Sequence, residues 1–144
     1  MLRTLLTTTL IISLPLIFVG CGDSGPRTTP VSITITQQGN PLAGATVTMV
    51  STDGDSAAGM TNDSGVAEME LTGVNKKGAL PGEYSVAVRK WDIVIVPNPS
   101  EESPDDTRST RVSLLPDKYG ETSTSGFTLT VGTSAVKETF DIPE

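Results

Sequence analysis

The sequence predicts an all-β chain, a seven-stranded antiparallel β-sandwich, on three observations. Apolar residues recur with a period of two from Val31 onward, turn-forming clusters punctuate the alternating runs, and β-branched residues crowd the composition. In residues 21–144, Thr, Val and Ile supply 17, 12 and 5 positions, 34 of 124. Such side chains pack well on a pleated surface and lose rotamer freedom in a helix. No segment carries a convincing helical period.

The first strand is the most regular. Val31, Ile33 and Ile35 alternate with Ser32, Thr34 and Thr36, which places three apolar side chains on one face and three hydroxyls on the other. Gln38-Gly39-Asn40-Pro41 is turn chemistry, and Ala45, Val47 and Met49 then alternate with Thr46 and Thr48, so a hairpin is expected between these two strands. Further strands are expected over 57–61, 66–71, 83–90, 127–131 and 136–142. Asn62-Asp63-Ser64-Gly65 and Gly132-Thr133-Ser134-Ala135 are short loops suited to antiparallel pairing of the strands they join. The expected core is Val31, Ile33, Ile35, Val47, Met49, Met69, Leu71, Tyr84, Val86, Val88, Phe127, Leu129, Val131, Phe140 and Ile142. A body of this length buries a core without disulfide staples.

Residues 1–20 are a separate object. Arg3 gives a short positive start, and Leu5 to Val19 is mostly apolar, with Pro15 inside its densest part, Leu10 to Val19. That is signal-peptide anatomy, too short and too interrupted for a spanning helix of about 20 apolar residues. Phe18-Val19-Gly20-Cys21 resembles the bacterial lipobox, in which cleavage between a small residue and a cysteine leaves that cysteine acylated as the first residue of the mature chain. Cleavage is therefore expected between Gly20 and Cys21, with Cys21 as the lipidation site. Cys21 is the chain's one cysteine, so it has no intramolecular disulfide partner, and acylation would remove an otherwise oxidisable thiol. Each buried acyl CH₂ contributes about 0.8 kcal/mol, so two or three chains hold a protein stably at a membrane. Gly22, where an Asp would break the sorting rule, points to the outer membrane.

Residues 21–30 read as a lipidated flexible tether dense in Gly, Ser, Thr and Pro, leaving 31–144 as the sandwich. After cleavage 9 basic and 17 acidic side chains remain, a net charge of −8. That balance lacks the basic footprint of a nucleic-acid binder. The sequence contains no histidine, which removes the commonest general base, the commonest transition-metal ligand and every Ser-His or Cys-His nucleophile. No enzyme activity, cofactor or metal is expected.

The segments Val31 to Val47, Thr61-Asn62-Asp63-Ser64-Gly65 and Pro81-Gly82-Glu83-Tyr84-Ser85-Val86 together resemble the carboxypeptidase regulatory-like domain. The resemblance implies a transthyretin-like, prealbumin-type sandwich over Val31 to Ile142. Leu115-Pro116-Asp117-Lys118-Tyr119 and Thr124 to Leu129 resemble small bacterial lipoproteins carrying one such domain. The family's parent peptidase and its related hydrolases depend on histidines that are absent here, so no activity is carried over. Gly44 and Gly65 sit where a tight approach or positive φ is needed, and Tyr84 offers a buried ring whose hydroxyl can cap a corner.

Three motifs have sharper readings. Asp23-Ser24-Gly25 and Asp63-Ser64-Gly65 repeat a triplet that aspartic proteases use in a buried pair, but one lies beside Cys21 and the other in a hydrophilic turn. Asp53-Gly54-Asp55 starts like a calcium loop and then lacks its later ligands. Asn62-Asp63-Ser64 fits the glycosylation triplet, which carries little weight in a bacterial chain. A solvated turn is the expected reading of Asp53-Gly54-Asp55 and of Asp63.

The long connection of about 92–118, within the stretch 91–125, is the least typical part. Trp91 to Val96 is apolar and extends the fifth strand toward an edge, while Pro97 to Asp106 is Pro-rich and acidic. Loops of this length are usually functional or disordered. It reads either as a docking surface built on Trp91, Glu101, Glu102, Asp105 and Asp106 or as a solvated insertion, with Trp91 either a partner anchor or packed core. The expected function is a non-enzymatic binding or structural module of the bacterial cell envelope, held to the membrane by its lipid and contacting an envelope protein or polysaccharide. The alternatives are a carbohydrate- or peptide-binding protein using the 91–125 loop, and a cryptic carboxylate hydrolase that would depend on Asp63.

Overall fold

A computed structural model describes residues 25–97 and 107–143. The expected signal peptide with Gly20, Cys21, the first part of the expected tether, Asp23, and the loop residues Glu101, Glu102, Asp105 and Asp106 lie outside the described residues. The chain is a β-sandwich. In order, its strands are β1 (Val31–Gln37), β2 (Asn40–Pro41), β3 (Thr46–Ser51), β4 (Ser56–Met60), β5 (Val66–Glu68), β6 (Glu70–Leu71), β7 (Lys76–Lys77), β8 (Gly82–Arg89), β9 (Trp91–Pro97), β10 (Thr107–Ser113), β11 (Phe127–Val131) and β12 (Val136–Ile142). A 3₁₀ turn, Asp117–Gly120, precedes β11.

The period-two pattern sorts the strands into two layers. One sheet is built on β1, flanked along its whole length by β12 and on its other edge by β5 and then β2. The second runs in the order β11-β8-β3-β4-β6-β7. Val31, Ile33, Ile35 and Ile142 from the first layer meet Val47, Met49, Val86, Val88, Leu129 and Val131 from the second, all buried in one core. Two-layer packing of alternating strands hides one face of each sheet and leaves the threonine-rich faces wet.

Three connections differ from the hairpins the sequence suggests. The Gln38-Gly39 turn folds β1 back only onto the two-residue β2, with φ of 51° and 75° as a two-residue hairpin turn requires, and the chain then crosses to the other sheet before β3. Asn62 to Gly65 likewise joins β4 of one sheet to β5 of the other, and Gly132 to Ala135 joins β11 to β12 across the layers. A short loop with turn residues looks the same locally whether it pairs two strands or arches between sheets. The expected strand 66–71 is also split. Val66–Glu68 pairs β1 and Glu70–Leu71 pairs β4, with buried Met69 at the crossing donating its N–H to Val31 O at 2.9 Å.

Among the described residues the antiparallel expectation holds for every strand pair but one. β1 and β12 run parallel, from Val31 opposite Val136 to Gln37 opposite Ile142. β12 thus forms one edge of the sheet, beside the first strand. The ordered body also begins before Val31: Thr29 is buried, exchanges backbone hydrogen bonds with Ala79, and donates its hydroxyl to Gly132 O.

Two of the expected core residues are only half-buried. Phe127 and Phe140 pack on the core from outside, stacked on each other at 4.7 Å between centroids and continued by Tyr119 at 5.3 Å. Their place inside is taken by smaller or unexpected residues, including Leu42, Ala45, Ala57, Ala67 and Leu115. Tyr84 is buried as expected, and its hydroxyl donates to Leu80 O at 2.9 Å, closing the corner before β8. Burial, with the nearby Asp55 carboxylate second, pushes its phenol above the ordinary tyrosine value.

A charged latch ties the β1–β2 turn to the last strand. Asp141 accepts a hydrogen bond from the Thr36 hydroxyl at 2.6 Å and from Gly39 N–H at 2.9 Å, and these two donors hold its carboxyl below the ordinary carboxylate value. A depressed carboxylate pKa stabilises the fold above the unfolded-state value, and that contribution disappears as pH falls through the folded value. Asp141→Asn is therefore expected to lower the urea midpoint at pH 7, and the gap from wild type should close as pH falls below the ordinary carboxylate range. A gap independent of pH between 7 and the acid range would show that the ionised carboxylate adds nothing.

Candidate functional site

The acidic motifs at 53–55 and 63–65 occupy turns. Asp63 is exposed in a turn organised by its neighbour Asn62, whose side-chain oxygen accepts hydrogen bonds from Ser64 N–H at 2.9 Å and Val66 N–H at 3.1 Å. Gly65 has φ of 76°, and a Cβ there would stand 2.5 Å from Ile35 O. Only glycine fits that approach. Asp53-Gly54-Asp55 forms the tight β3–β4 turn, with Ser51 accepting from Gly54 N–H and Asp55 N–H. Among the described residues no three His, Cys, Asp or Glu side chains stand close enough to share a metal ion.

The segment from Trp91 to Ser113 builds something else. After Lys90 the chain leaves β8 and forms β9, which pairs with β10 in a sheet of its own, from Trp91 opposite Ser113 to Pro97 opposite Thr107. The sequence suggested an extension of the fifth strand followed by a loop. β10 was hidden because Thr-Arg-Ser-Thr-Arg-Val-Ser lacks apolar alternation, although its threonines and valine suit a pleat once a partner strand is present.

This ribbon stands off the sandwich. Trp91, Ile93 and Ile95 share one face and are 51%, 66% and 70% exposed, while Val94 and Val112 on the other face are exposed as well. Soluble domains seldom leave so many large apolar side chains adjacent and uncovered, and where they do the patch marks an interaction surface. Trp91 is not packed core. It sits at the root of the ribbon beside a shallow cleft it shares with Val88, Arg89, Leu115 and Glu121, where Arg89 Nη2 and Glu121 Oε1 form an exposed ion pair at 2.5 Å.

The ribbon and Thr29, near the first described residue, lie at opposite ends of one strand. Thr29 bonds Gly132, next to Val131, which pairs with Gly82, the first residue of β8. The ribbon leaves from Arg89, the last residue of β8. At about 3.3 Å per residue the two exits are separated by roughly 23 Å along the sheet. Of the sequence-derived site residues that are described, Trp91 falls within this surface; Ile93, Ile95, Arg108 and Arg111 were not singled out. A run of consecutive apolar residues reads as a buried strand, so the sequence gives no local sign that this one is uncovered. No protein-family model, no curated protein and no solved structure matches this chain.

Proposed function

We propose that this chain is an exported lipoprotein, cleaved after Gly20 and acylated on Cys21, that serves without catalysis as a binding module of the bacterial cell envelope. Its sandwich is read as a carboxypeptidase regulatory-like domain from the resemblance of the 31–47, 61–65 and 81–86 segments. The observation that carries the binding reading is the exposed apolar ribbon at the end of β8 opposite the one where the N-terminal segment docks. A lipid at Cys21 stands seven residues before Thr28, whose hydroxyl already bonds Lys77 O on the body. A tether that short reaches at most about 25 Å when fully extended. Such an anchor keeps the domain within about 25 Å of the membrane and attaches it at the end of β8 opposite the ribbon, which stays free to meet partners in the envelope.

The test is the state of Cys21. Wild type expressed with its native leader should partition into detergent and show an intact mass of residues 21–144 plus acyl chains. Cys21→Ser should lose the acyl mass and leave the detergent phase. Wild type recovered in the aqueous phase with a free thiol at residue 21 would overturn the anchoring reading.

A further inference from the structure

We propose that the partner of the ribbon is a second copy of this chain, joined through the free edge of β9. The two edges of the ribbon differ in kind. β10 carries Arg108 and Arg111, and charged side chains on an edge strand oppose pairing with another chain. β9 carries one charge, Asp92, followed by the uninterrupted β-branched run Ile93-Val94-Ile95-Val96. Its outer backbone groups have no strand partner among the described residues. Of its outward donors the Ile93 N–H is held by the Asp92 carboxylate at 2.8 Å, a bond that pairing with a second strand would replace.

The sequence of β9 suits its own antiparallel copy. A two-fold axis at Val94 sets Val94 against Val94, Ile93 against Ile95, and Asp92 against Val96 of the second copy, so the two carboxylates never face each other. Pro97, which has no N–H to donate, falls opposite Trp91 at each end of the ladder, where pairing stops. Residues directly opposite share a face, so Trp91, Ile93 and Ile95 of both copies merge into one apolar stripe. The product is a four-stranded sheet in the order β10-β9-β9-β10. Its two outer edges are both the arginine-bearing β10, which blocks further addition and closes the assembly as a dimer rather than a fibril.

The inference stands on the ribbon alone and is tested without the lipid, so it can fail or hold independently of the acylation reading. In the full chain with Cys21→Ala an introduced cysteine is the sole thiol. The two-fold places the Val94 Cα atoms about 4.5–5.5 Å apart, inside the span a disulfide accepts. Mild oxidation of Val94→Cys should give a covalent dimer about tenfold faster than Thr110→Cys on β10, and Ile93→Cys mixed with Ile95→Cys should cross-link while each alone does so poorly. Sedimentation of the Cys21→Ala chain should show a monomer–dimer equilibrium in about the micromolar range, because two short strand edges bury less than the roughly 1,600 Å² of a standard interface. Ile95→Lys, at a position 70% exposed and therefore tolerant of the change, should leave it monomeric. Equal cross-linking at 94 and 110, or a monomer throughout that range, would overturn the proposal.

Discussion

Thr61→Val is expected to destabilise the fold by about 2–6 kcal/mol although the two side chains have nearly the same shape, because it orphans two buried backbone groups at about 1–3 kcal/mol each. The Thr61 hydroxyl is buried at the end of β4, where it donates to Leu42 O at 2.6 Å and accepts from Ala45 N–H at 2.8 Å. One side chain thus satisfies both ends of the connection that carries the chain from β2 across to β3. Valine fills the space and satisfies neither. Against a typical domain stability of about 5–15 kcal/mol, such a loss removes a large fraction of the total. Thr61→Ser keeps the hydroxyl and gives up one methyl, so it should cost about 1 kcal/mol or less. Urea unfolding of the three proteins decides the matter: a valine variant within about 0.5 kcal/mol of wild type would mean that water or backbone movement satisfies Leu42 and Ala45 instead.

What was legible in the sequence was the part governed by local rules. Alternation located the buried faces of β1, β3, β8 and β12, because a one-residue slip would turn every apolar side chain outward. The positive φ of Gly44 and Gly65 and the corner bond of Tyr84 follow from residue type in the same way. Three features were not legible. The parallel pairing of β1 with β12 joins residues more than a hundred positions apart, and nothing in either strand's own pattern names its neighbour. The arches at 62–65 and 132–135 use the same residues as hairpins. The aromatic stack of Tyr119, Phe127 and Phe140 leaves its two phenylalanines half-buried against the core, while Ala45, Ala57 and Ala67 are fully buried in it.

The ribbon illustrates the limit from the other side. Its apolar strand has the composition of core, and composition is what a sequence reports. Exposure is a property of the whole fold: β8 is already flanked by β3 and β11, so no edge of that sheet is open beside it for β9 to join. The chain continues past Arg89 and pairs with its own later segment, outside either layer.

The contrast between Ile33 and Ile93 makes that division measurable. Both are isoleucines in the middle of seven-residue strands, yet Ile33 is fully buried between the sheets and Ile93 is 66% exposed on the ribbon. Ile33→Ala removes buried methylenes and leaves a cavity that a close-packed interior fills only in part, at a cost of about 2–5 kcal/mol. Ile93→Ala removes contacts made mostly with water, and a surface change of this kind should stay within about 0.5 kcal/mol. Thermal unfolding by circular dichroism, at concentrations low enough to keep the chain monomeric, reads both. If Ile93→Ala proved as damaging as Ile33→Ala, the ribbon would have to be folded onto the body and its apolar face would be unavailable to any partner. If the damage is confined to Ile33, the sandwich carries the stability and the hydrophobic surface of β9 is retained for contacts outside the domain.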